Sequence, residues 1–185
     1  MNGPRLEGFS HRAAVPADET GIAALMELSI SALLPSFLTP EQVAASRSIM
    51  GLDRQLIADG TYFVVHDTQS GELVACGGWS NRATLYGGDH STAQRNAALL
   101  QMGVDAARIR AMYTHPDFTR RGLGRYVLDI CESAARGAGF SRVELMATLG
   151  GEPLYRACGY EEIERIISAS VDGVDVPGLR MGKTI

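Results

Sequence analysis

The run Tyr113–Leu128, YTHPDFTRRGLGRYVL, joins a strand pattern to a helical one through a glycine turn. Upstream, Arg108–Thr114 (RIRAMYT) reads as a strand, and His115-Pro116-Asp117 breaks it. Downstream, Leu123, Val127, Ile130, Cys131, Ala134 and Ala138 recur at helical spacing, and Gly137 and Gly139 end the helix. Between the two lies Arg120–Arg125 (RRGLGR). Gly122 and Gly124 let the backbone turn tightly and approach a ligand. The first N–H groups of the helix lack intrahelical partners, so strand, turn and helix start together form an anion site suited to phosphate. Arg120, Arg121 and Arg125 would add charge-assisted hydrogen bonds. The chain lacks the Gly-x-x-x-x-Gly-Lys of a Walker loop. It also fails the Gly-x-Gly-x-x-Gly dinucleotide fingerprint, because Val127 holds the third glycine position.

Working outward, Phe9–Ala14 reads as a first strand. A helix opened by Pro16-Ala17-Asp18 buries Ile22, Leu25, Met26, Ile30 and Leu33 and stops at Pro35. Thr39 as N-cap and Pro40 start a second helix to about Met50, and Asp53–Asp59 forms a further short one. Thr61–Asp67 and Leu73–Ser80 make a hairpin. Ala83–Ala107 has no firm pattern, with a helix expected over Ala93–Met102; so long a connection is usually functional. Arg142–Ala147 is a strand and Glu152–Cys158 a short helix. Glu161–Ala169 and Gly178–Thr184 form a last strand pair around Asp172-Gly173, with Pro177 at an edge. This order predicts one α+β domain over residues 1–185, with a mixed, mostly antiparallel sheet flanked by helices.

The run from Tyr113 resembles the acetyl-CoA-binding signature of the GNAT N-acetyltransferases: a strand, a proline-containing turn, Arg/Gln-x-x-Gly-x-Gly/Ala, then a helix. Glu152–Tyr160 (EPLYRACGY) is similar to the second block of that superfamily, a tyrosine in a short helix before a Gly-Phe/Tyr pair. The likeness extends from Phe9 to Thr184. One position departs: the Arg/Gln of the signature falls on Thr119, which leaves the backbone cradle intact but puts a side-chain contact from there in question.

The resemblance implies that acetyl-CoA is the co-substrate. The backbone of Met112 and Tyr113 would pair with its pantetheine arm and supply an oxyanion donor, and the amides of Arg120, Arg121, Gly122, Leu123, Gly124 and Arg125 would hold the pyrophosphate, with Thr119 a further cofactor-binding candidate. Tyr155 would act as general acid toward the departing thiolate. For a general base, His115, Asp89, His90 and Glu144 are candidates by residue type, with His115 better read as a turn residue; water serves in many members. Two other readings stand beside the N-acetyltransferase: a cysteine-nucleophile acyltransferase pairing Cys76 with His90 or His115, and a non-catalytic CoA-binding sensor. The acceptor side would come from Ser29–Met50, with an apolar wall of Leu33, Leu34, Phe37 and Leu38, and from Ala83–Ala107, which holds Tyr86, Asp89 and His90.

Composition fits an ordinary globular domain, and the resemblance implies a small-molecule or peptide amine as acceptor. The 185 residues carry 17 Lys+Arg against 21 Asp+Glu, a net charge of −4, which disfavours nucleic acid as partner. No apolar run approaches a membrane span, and MNGPRLEGFSHR is not a secretory signal. Cys76, Cys131 and Cys158 are too few and too scattered for a disulfide framework, which points to the cytoplasm. Cys76 and Cys131 read as packing residues, and so does Cys158 beside Gly159. The dispersed His11, His66, His90 and His115 give no zinc-ligand spacing. A homodimer is left open.

Overall fold

The computed structural model describes residues 4–91 and 95–185. In chain order its elements are β1 (Phe9–Ala13), α1 (Glu19–Leu33), α2 (Pro40–Ser46), α3 (Arg54–Ala58), β2 (Tyr62–Asp67), β3 (Leu73–Ser80), β4 (Ala107–Thr114), α4 (Leu123–Gly137), β5 (Arg142–Ala147), α5 (Glu152–Ala157), β6 (Glu161–Val171) and β7 (Val174–Thr184). They form the expected α+β mixed sheet, ordered β1-β2-β3-β4-β5-β7-β6. Every neighbouring pair is antiparallel except β4 with β5. That exception follows from the β-α-β crossover through α4.

Each face of the sheet carries a core. On one, Leu123, Val127, Ile130, Cys131 and Ala135 of α4 pack on Val65, Ile109, Val143, Leu145 and Leu179. On the other, Ile22, Leu25, Met26 and Ile30 of α1 pack on Tyr62, Val64, Cys76 and Tyr113. Thr39 caps α2 as expected: its Oγ1 accepts from the Gln42 N–H at 3.2 Å, and its own N–H donates to Gln42 Oε1 at 3.1 Å.

Four expectations are corrected. Residues 95–102 are not helical: Leu99 instead bridges Arg82, and the first part of the expected helix lies outside the described residues. The second helix stops at Ser46, where its hydroxyl bonds the Val43 carbonyl, and the chain reaches Met50 through tight turns. Ala138 faces solvent, and Ala135 holds the buried position instead. The last hairpin is longer than its sequence pattern, because Asp172 and Gly173 both take positive φ (50° and 80°) and close it with a two-residue turn. β7 is interior, yet Pro177 lies beyond Leu179↔Ala147, the last pair with β5. It pairs with Ile167 of β6 alone, so its missing N–H interrupts no ladder on the other side.

Candidate active site

β4 and β5 pair only at Ala107↔Val143 and Arg108↔Glu144. Beyond them the strands part around a cavity of about 500 Å³, bounded by Ile109–Thr114 on one side and Leu145–Thr148 on the other. A bulge shapes the β4 wall. Cys76 opposes Tyr113 and Gly78 opposes Arg110, so Ala111 and Met112 together face Gly77. Ala111 takes a positive φ of 52°. The fully buried Tyr62 fixes it: its hydroxyl donates to the Ala111 carbonyl at 2.9 Å and lies 3.1 Å from Cys76 Sγ. A Cβ on Gly77 would stand 2.5 Å from Met112 Sδ and 2.6 Å from Val127 Cγ1, so the bulge requires glycine opposite it. Past the bulge, His115 N–H donates to the Val74 carbonyl at 2.8 Å. Strand alternation then turns the Tyr113 N–H toward β3 and the Met112 and Thr114 N–H groups toward the split.

At the mouth, Arg120 (φ 64°) and Gly122 (φ 85°) set up the start of α4. The amides of Leu123, Gly124 and Arg125 lie in its first turn, where no intrahelical acceptor exists. Leu123 itself is a core residue, so only its backbone is available to a ligand. Gly124 packs against Leu154, and a Cβ there would stand 2.6 Å from Leu154 Cδ2, so the leucine side chain would have to move. The three arginines divide. Arg121 lies over the Phe118 ring at 4.6 Å, Arg125 donates to the Ala157 carbonyl at 3.0 Å, and Arg120 lines the cavity. Thr119 also lines it, with Oγ1 donating to the Pro116 carbonyl at 3.0 Å.

The two tyrosines of the second block have different surroundings. Tyr160 donates to Glu132 Oε1 at 3.0 Å, while Lys183 holds Glu132 Oε2 at 2.7 Å, which ties the end of α5 to α4 and β7. Tyr155 packs edge-on against Tyr160, with centroids 5.8 Å apart, and lines the cavity. Its hydroxyl makes no hydrogen bond to another described residue. Burial holds its pKa well above that of a free tyrosine, so it stays a proton donor at neutral pH.

None of the four base candidates lines the cavity. His115 caps the turn at Pro116–Phe118, accepting from the Asp117 N–H at 3.2 Å. Asp89 binds Arg54, His90 Nε2 bonds the Arg47 carbonyl, and Glu144 pairs with Arg108 and Arg180. The cysteines are all buried and free. Burial pushes the Cys76 thiol up to about 12, and the hydrogen-bonding rings of His90 and His115 are directed elsewhere, so the cysteine–histidine pair of the alternative reading does not form.

The other half of the cavity is walled by Leu33 and Leu34 at the end of α1, by Ser36, Phe37 and Leu38, by Ile49–Gly51 and by Leu85–Gly88. A buried charge cluster that sequence reasoning missed holds the last of these. Asp53 meets Arg110 at 2.7 Å and Arg95 at 3.1 Å. Arg110 also donates to the Gly87 carbonyl, and Arg95 to Gly87 and Gly88. The signal was present in Arg110: it sits beside Ile109 in a strand buried on both faces, where a charge needs a partner.

Residues 24–160 match the model of the acetyltransferase (GNAT) family, and the chain belongs to that family. It is an acetyltransferase, and the family uses acetyl-CoA. No curated protein matches the sequence at significance. Among solved structures, a GCN5-related N-acetyltransferase from Rhodopseudomonas palustris has 20% identity and a TM-score of 0.67, over 100% of this chain and 98% of that one. A ribosomal-protein-S5-alanine acetyltransferase from Vibrio fischeri has 13% and 0.65, over 100% and 97%. The PaiA N-acetyltransferase from Thermoplasma acidophilum, solved with coenzyme A, has 12% and 0.61, over 96% and 99%. At these identities the likeness is one of fold. No helix among the described residues is long and apolar enough to cross a membrane.

Proposed function

We propose that this chain moves the acetyl group of acetyl-CoA to a primary amine of a small molecule or peptide, by direct attack within a ternary complex. The observation that carries the reading is the parting of β4 from β5 beside the free first-turn amides of α4. The Met112 and Thr114 backbone groups, unpaired on the β5 side, suit the pantetheine amides. The amides of residues 120–125 suit the pyrophosphate, with Arg120 the one arginine of the loop that lines the cavity.

The amine nitrogen attacks the thioester carbonyl from the apolar half of the cavity. The Met112 N–H stabilises the oxyanion. As the C–S bond breaks, Tyr155 gives its proton to the sulfur, and the proton lost by the amine passes through water to restore the Tyr155 hydroxyl. A non-catalytic CoA sensor would have no use for a protonated, unpartnered Tyr155 in the split. The test is acetyl-CoA-dependent thiol release across an amine panel. Acetylated product on at least one amine is expected; tight acetyl-CoA binding with no release on any amine supports the sensor.

A further inference from the structure

The acceptor half of the cavity carries a constraint on which amine can react, and this inference rests on the N-acetyltransferase reading above. Among the described residues lining the cavity there is no aspartate, glutamate or histidine. The charged lining residues are Arg110 and Arg120. Arg110 belongs to a cluster in which Arg54, Arg95 and Arg110 face Glu19, Asp53 and Asp89, but the cation is the member that lines the cavity. Its Nε is buried without an acceptor. The remaining titratable lining residues are Tyr86, Tyr113 and Tyr155, all raised by burial and so neutral between pH 7 and 9. The acceptor wall adds Leu34, Phe37, Ile49 and Met50, with Ser29, Ser36 and Ser46 as its uncharged polar members.

An ammonium entering this space loses hydration, meets no carboxylate in the lining and finds Arg110 already paired with Asp53. The free base meets none of these penalties. We infer that the acceptor is a weakly basic primary amine on an uncharged, apolar body, an α-amino group, which reaches the thioester already deprotonated. The acidity of the substrate's own ammonium takes the place of a catalytic base. A peptide α-amine, with a pKa of about 7.7–8.0, is roughly a tenth free base at pH 7, whereas an alkylamine near 10.4 is free to less than about one part in a thousand.

The experiment compares a phenylalanyl peptide amide, 2-phenylethylamine and spermidine by kcat/KM from pH 7 to pH 9, after calorimetric titration of acetyl-CoA. At pH 7 the peptide amide should exceed 2-phenylethylamine on the order of a hundredfold, since their free-base fractions differ by about that much. The ratio should fall about tenfold by pH 9, with the peptide profile following the acceptor's own titration. Phe37→Glu, at a half-exposed lining position, should shift preference toward spermidine. A parent that prefers spermidine at pH 7, a ratio independent of pH, or turnover of another amine with none of the peptide amide would each overturn the inference alone. Failure to bind acetyl-CoA, or binding with no turnover of any amine, would instead remove the N-acetyltransferase reading beneath it.

Discussion

The two halves of the cleft, to which we assign the coenzyme and the acceptor, are built from different materials. The coenzyme half uses backbone: an unpaired strand edge after the Ala111–Met112 bulge and the first turn of α4. The acceptor half uses side chains brought from far apart in sequence, with Asp53 at the start of α3, Arg110 in β4 and Arg95 after the 83–91 loop. Backbone features tolerate sequence change as long as turns and glycines persist. Side-chain features do not, so the first half can be shared by a family while the second individualises a member.

That contrast can be broken most sharply at Tyr155. Tyr155→Phe keeps the ring against Tyr160 and removes the proton donor; kcat should fall about a hundredfold to ten-thousandfold. Acetyl-CoA affinity, measured by calorimetry, and the melting temperature should stay close to the parent's, because the hydroxyl makes no hydrogen bond to another described residue. Unchanged turnover would return Tyr155 to a packing role.

Next in size is Asp53→Asn. It leaves Arg110 buried without its counter-charge, and breaking such a pair costs about 3–5 kcal/mol. Urea unfolding should show that loss. Under conditions where the variant remains folded, acceptor KM should rise while acetyl-CoA affinity holds. Equal losses on both substrates would mean that the two halves are not separable.

A smaller effect is expected at Tyr62→Phe, which removes the hydrogen bond to the Ala111 carbonyl and should cost about 1 kcal/mol of stability. Because that bond fixes the bulge that aims the Met112 amide, kcat should drop with little change in acceptor KM. A loss confined to acceptor KM would place the bulge in the wrong half.

The same division explains what the sequence made legible. The end of β4, the turn, the glycines and the helix start sit within Tyr113–Leu128, so local rules find them, and α5 with Tyr155, followed by Tyr160, comes from a second short block. The Asp53–Arg95–Arg110 cluster spans residues that no local window holds together. Arg95 lay in a segment without periodicity, where a helix was expected, and its ordering comes from ion pairs and the Arg82↔Leu99 bridge. The base candidates were chosen by residue type; the fold turns His115 into a cap and gives Asp89 and Glu144 arginine partners. Residue type could not reveal that the acceptor wall has no carboxylate, because that depends on which side chains the fold turns inward.

The most direct test of the central claim is amide NMR during acetyl-CoA titration. If the parted strands and the start of α4 hold the coenzyme, the largest shifts should fall on Met112, Thr114 and residues 120–125, with smaller changes at Asp53, Arg95 and Gly87. Saturable binding whose largest shifts lie elsewhere, with Met112, Thr114 and the 120–125 amides unmoved, would contradict the account.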